Sequence, residues 1–100
     1  MLGLDPDTGA LVPGGTEAEI AQIFDNLQAL MAENGLARTE LKSATLYCTA
    51  FHRFGALNAA WDAFFAGADA LPARSAVGVS QLPLGAQVEA AFLFYTGGRA

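Results

Sequence analysis

One hundred residues suffice for one hydrophobic core and not two, so the chain is read as a single domain over residues 1–100. Charged residues make up 15% and hydrophobic ones 53%, against roughly 25% charged in ordinary soluble proteins, a balance that points to surface hidden against further copies of the chain. A net charge of −5 with five scattered cations argues against a nucleic-acid groove, and no apolar run approaches the ~20 residues of a membrane helix. The single cysteine, Cys48, cannot form an internal disulfide, for which a reducing cytoplasm is the expected setting.

Asp5 to Gly15 holds two prolines and three glycines and reads as turn, with a short strand at Ala10 to Val12. Thr16 then reads as a helix N-cap, with Glu19 three residues later completing a capping box. Ile20, Ile23, Phe24, Leu27, Leu30 and Met31 follow at helical spacing, and Asn34-Gly35 supplies a left-handed stop. Leu41 to Thr49 is strand-like, rich in Thr, Tyr and alternation. After a connection at Phe51 to Gly55, residues Leu57, Ala60, Trp61, Phe64 and Phe65 form the inward stripe of a second helix ending near Gly67.

Pro72 ends what precedes it, because it lacks an N–H and biases its neighbour away from helix. Ser75 to Val79 reads as a short, mostly buried strand. Strand, helix and strand together have the length of a right-handed crossover between parallel strands. Leu82-Pro83-Leu84-Gly85 reverses the chain into a last strand, Gln87 to Tyr95, apolar on both faces, and Gly97 to Ala100 is a tail. The expected fold is α+β: one sheet with two helices on one face, and a subunit neighbour covering the other.

Few residues offer chemistry. His52 is the only histidine, so no histidine-based metal cage can be built and no metal or cofactor is expected. Cys48 lies mid-strand without a partner and reads as a buried, inert thiol. Gly14-Gly15 before a helix is a weak anion cradle without a lysine. Asp62 and Asp69 read as solvated helix surface, and Ser75 has no general base in its sequence context. Arg74 stands apart. It opens an otherwise apolar strand, and its planar fork of donors suits a carboxylate, against the simpler reading of a surface ion pair.

Leu71-Pro72-Ala73-Arg74-Ser75, followed by Gln81 to Glu89, resembles the C-terminal signature of the Rid (YjgF, or endoribonuclease L-PSP) family. Leu4-Asp5-Pro6-Asp7-Thr8-Gly9 with Val12-Pro13-Gly14-Gly15 is similar to that family's loop before its first helix. Phe54 to Asn58 and Ala63-Phe64-Phe65 are similar to its second helix. The resemblance implies a chorismate-mutase-like fold assembled as a homotrimeric barrel with ligand clefts between subunits. It also implies two strands and a Ser-Gly-Gln motif ahead of Leu4, which this sequence does not contain.

For function, the resemblance implies hydrolysis of enamine and imine intermediates to keto acids and ammonia. Arg74 would hold the carboxylate of a small 2-imino or 2-keto acid, with Asn58 and Glu89 matching further substrate-binding positions. Two positions depart. Many deaminating members carry Cys where this chain has Ala76, and a water-positioning Glu where it has Ala91. No residue is therefore assigned the catalytic role. Two readings stand: an imine deaminase of the 2-iminobutanoate/2-iminopropanoate type, or a non-catalytic trimer that binds or senses a small carboxylate. Neither involves nucleic acid or membrane.

Overall fold

The computed structural model describes residues 1–97, so the tail expected beyond Gly97 lies outside the described residues. The chain runs through helix α1 (Gly15–Asn34), strand β1 (Leu41–Cys48), helix α2 (Phe54–Phe64) and strands β2 (Ala73–Gly78) and β3 (Val88–Phe94). The sheet order is β2-β1-β3, with β1 parallel to β2 and antiparallel to β3. The fold is α+β, and α2 is the crossover joining the two parallel strands.

Helix α1 forms where the apolar spacing places it, burying Ile20, Ile23, Phe24, Leu27 and Met31; Leu30 lies outside the stripe and is exposed. Gly35 adopts φ 63° and ends the helix, as Asn34-Gly35 announces. The start differs from the expectation. Gly14 enters the helix in a left-handed conformation at φ 114°, so Thr16 falls inside the first turn and caps nothing. Its hydroxyl donates instead to Gln87 Oε1 at 2.6 Å. Glu19 forms no capping box. It is 2% exposed and accepts the backbone N–H groups of Gln87 at 2.8 Å and Val88 at 3.2 Å. A buried carboxylate that takes two amide donors is tolerated because each bond is charge-assisted. The polar pair that resembles a cap locally fastens α1 to the start of β3.

Register assigns the two faces of the sheet. Ala44, Leu46 and Cys48 on β1 turn to the helices, beside Arg74, Ala76 and Gly78 on β2 and Phe92, Ala90 and Val88 on β3. Over them lies an aromatic cluster: Phe24 stacks on Phe64 at 4.8 Å and meets the Trp61 edge at 6.5 Å, and Trp61 tilts against Phe65 at 4.6 Å. The opposite face presents Ser43, Thr45 and Tyr47, flanked by Ala73, Ser75 and Val77 and by Leu93, Ala91 and Glu89. Leu93 and Tyr95 are 63% and 66% exposed there.

β2 corrects a second expectation. It is exposed along its whole length rather than mostly buried. Its residues are small and apolar enough for a core strand, but it is the edge of the sheet, and α1 packs on α2 and β3 rather than across it. The strand expected at Ala10 to Val12 reduces to a single bridge, Leu4 with Leu11, supported by Val12 N–H to the Gly3 carbonyl at 3.0 Å. Leu2 bridges Glu89, and Ala90 N–H bonds the Met1 carbonyl at 2.9 Å, so Met1 and Leu2 line the outer edge of β3.

Candidate functional site

Pro72 has no N–H to give a ladder, and β2 pairing starts one residue later, with Ala73 opposite Ser43. Arg74 is then the first β2 residue turned to the helices. Its guanidinium carbon lies 5.2 Å from the Trp61 ring centroid and 5.7 Å from that of Phe54. Those rings stand two turns apart on one side of α2 and meet the cation with their negative faces. Among the described residues no carboxylate pairs with Arg74; the ion pair there is Arg53 with Glu17. The cation is held by rings, and its hydrogen-bonding fork stays open to a ligand. Asn58, Trp61, Asp62, Leu71 and Pro72 line with it a groove of about 500 Å3.

Asn58 and Arg74 therefore share one groove, and Glu89 does not. It lies on the other face of the sheet, opposite Tyr47, with β1 between its strand and that of Arg74. One chain brings two of the three expected residues together. Ala76 stands two residues beyond Arg74 on the same face, where its methyl offers no polar group; Ala91 shares the face of Glu89, opposite Thr45. His52 sits exposed in the turn Phe51–Arg53. Cys48 is wholly buried, and burial pushes its thiol pKa up, which suits an inert core thiol. The Gly14-Gly15 turn is no open cradle, since the Gln87 side chain lies 3.4 Å from where a Gly15 Cβ would stand. Among the described residues no group of His, Cys, Asp and Glu could hold a metal ion.

The family model for Endoribonuclease L-PSP matches residues 1–94. The chain belongs to the Rid family. It is 41% identical over 89 residues to a RutC family protein of Aquifex aeolicus, covering 89% of this chain and 70% of that one. It is 35% identical over 89 residues to the 2-iminobutanoate/2-iminopropanoate deaminase of Rattus norvegicus, covering 89% of this chain and 64% of the rat protein. The chain thus spans about two thirds of the length of these curated relatives. Among solved structures it is similar to RidA from an Antarctic Psychrobacter, with TM-score 0.83 and 31% identity over 95% of this chain and 76% of that one. The Rid protein YyfA of Yersinia pestis gives TM-score 0.85 and 32% identity over 92% and 72%. The YjgF-type, chorismate-mutase-like fold is shared with these proteins.

Within this Rid chain, sequence reasoning passed over the residues that hold Arg74. Trp61 reads as core, which it is, being 5% exposed, but one ring face also carries the guanidinium. Phe54 reads as connection and forms the first turn of α2. Asp62 reads as solvated surface and lines the groove. A signal existed: Phe54, Asn58, Trp61 and Asp62 are spaced four, three and one apart, which places them along one flank of a helix.

Proposed function

We propose that the chain captures the carboxylate of a small 2-imino or 2-keto acid on Arg74 and acts as a Rid-like enamine/imine deaminase or a relative of one. The observation that carries this reading is the Arg74 guanidinium, held by Trp61 and Phe54, without a carboxylate partner among the described residues, and facing the Asn58 groove. A fork fixed on rings can give a carboxylate two parallel N–H bonds without first breaking an ion pair. The relatives named deaminases support the reaction class. Water adds to C2 of the protonated imine, and the collapsing intermediate releases ammonium and leaves the keto acid. The imine is already electrophilic, so positioning supplies most of what the step needs.

The assembly belongs to the same proposal. A homotrimer would cover the exposed Leu93 and Tyr95 face and would let a neighbour's strand bring Glu89 towards the Arg74 groove, completing a cleft between subunits. A second reading, a trimer that binds the small acid without turning it over, is favoured by Ala91 and Ala76, whose methyl groups can neither orient nor activate water.

Calorimetric titration with 2-oxobutanoate tests the shared core of both readings. Arg74→Ala is expected to lose about 2–4 kcal/mol of affinity, the worth of one or two charge-assisted bonds. Arg74→Lys keeps the charge without the paired geometry and is expected to bind poorly as well. Equal binding by all three proteins would reduce Arg74 to an ordinary surface cation.

A further inference from the structure

We infer that Asp62 makes the Arg74 groove select ligands with positive charge at C2, so that it holds a protonated 2-imino acid in preference to the 2-keto acid formed by its hydrolysis. The inference rests on the reading of Arg74 as a carboxylate clamp and adds the part of the ligand that Arg74 does not touch.

Asp62 stands one turn beyond Asn58 on α2, and both line the groove with Arg74. Opposite charges sharing so small a space would ordinarily pair. Here they do not: among the described residues neither Arg74 nor Asp62 makes an ion pair, and the guanidinium lies over Trp61 and Phe54 instead. The groove thus offers a cationic fork and a separate carboxylate, neither neutralised by an opposite charge among the described residues. A 2-imino acid in its protonated form carries the complementary pair, a carboxylate and an iminium nitrogen one carbon apart. A 2-keto acid satisfies the fork but turns the lone pairs of its C2 oxygen towards Asp62, which has no donor for them. Hydrolysis replaces the iminium by a carbonyl, so the contact that favours substrate becomes one that disfavours product. That difference speeds product departure and keeps accumulated keto acid from occupying the groove.

Calorimetric titration of the full chain with 2-aminobutanoate and 2-oxobutanoate reads the selection, the amino acid serving as a stable bearer of the C2 cation. Wild type is expected to bind 2-aminobutanoate the more tightly. Asp62→Asn is expected to weaken that ligand about fivefold, the scale of an exposed charge pair, while 2-oxobutanoate binds as well or better. Asp62→Glu is expected to retain the preference. An unchanged ratio of the two affinities in Asp62→Asn overturns the inference even where Arg74→Ala has lost both ligands. Should neither ligand bind wild type, the clamp itself fails and this selection with it.

Discussion

The Arg74 guanidinium and the Trp61 indole meet at 5.2 Å across the gap between the edge strand and the second helix. That contact ties a core aromatic to a surface cation and fixes the direction in which the fork points. Phe54 supplies the second ring at 5.7 Å and is only half-buried. Phe54→Leu is therefore expected to weaken 2-oxobutanoate binding by about two- to fivefold, the worth of one exposed cation–π contact. Melting temperature should change little by comparison. Wild-type affinity in Phe54→Leu would show that Trp61 alone positions the cation.

Glu19 is expected to matter to stability far more than an ordinary helix-surface glutamate. Glu19→Ala leaves the Gln87 and Val88 amides without their acceptor at a buried junction, at a cost of about 2–4 kcal/mol. In a domain of this size each kcal/mol lowers Tm by roughly 4–8 °C. Glu19→Gln retains an acceptor oxygen and should lose clearly less. Thermal denaturation of the two variants side by side checks the order.

Cys48 gives stability a defined alkaline limit. Its folded thiol pKa is raised by burial, so the unfolded chain releases this proton more readily than the folded one. The stabilisation is complete below the ordinary thiol pKa of about 8.5 and is lost as pH rises through that value towards the folded one. Chemical denaturation from pH 7 to pH 10 should show a fall in stability that is smaller in Cys48→Ala. A thiol reagent should label Cys48 only under conditions that open the fold.

The open sheet face is expected to be where copies meet. Leu93 and Tyr95 project from it, 63% and 66% exposed, on a strand whose other face is already core. Light scattering coupled to gel filtration should report a trimer for wild type at micromolar concentration. Leu93→Glu should dissociate it, because the buried charge would have no partner. A well-folded wild-type monomer would remove this part of the proposal.

Turnover is expected to be slow as the chain stands. Ala91 occupies the position where the family resemblance implies a water-positioning Glu, and a methyl group cannot hold or activate water. General-base help is worth roughly 10²–10⁴-fold. Ammonia release from 2-aminoacrylate, followed by a coupled assay, should exceed buffer only slightly. Ala91→Glu should raise it. Fast release by wild type would assign the water-positioning role to another group.

Much of the fold is legible in the residue pattern because the periodicities are local. The stripe from Ile20 to Met31, the Asn34-Gly35 stop and the strand from Val88 to Phe94 each follow from how side chains project along one element. The connection has the length a crossover requires, and β1 and β2 are parallel neighbours. The family, too, is readable in linear motifs, because Leu71 to Ser75 and Leu4 to Gly15 keep their order and spacing.

What only the tertiary structure decided is where polar groups find partners and which strand lies at the edge. Thr16 and Glu19 have the spacing of a capping box, yet their partners, Gln87 and Val88, lie about seventy positions away where β3 begins, at sequence separations of 71 for Thr16 and 68 and 69 for Glu19. Ser75 to Val79 has core composition, but exposure belongs to the arrangement of neighbours and not to the strand, and β2 lies at the sheet edge with every residue exposed. The rings under Arg74, and the presence of Asp62 beside it, arise only when α2 packs against the sheet and sets residues 54 to 62 against residue 74. Side-chain pattern selects elements through short-range geometry. The site is made by contacts between elements, and those depend on how the whole chain closes on one core.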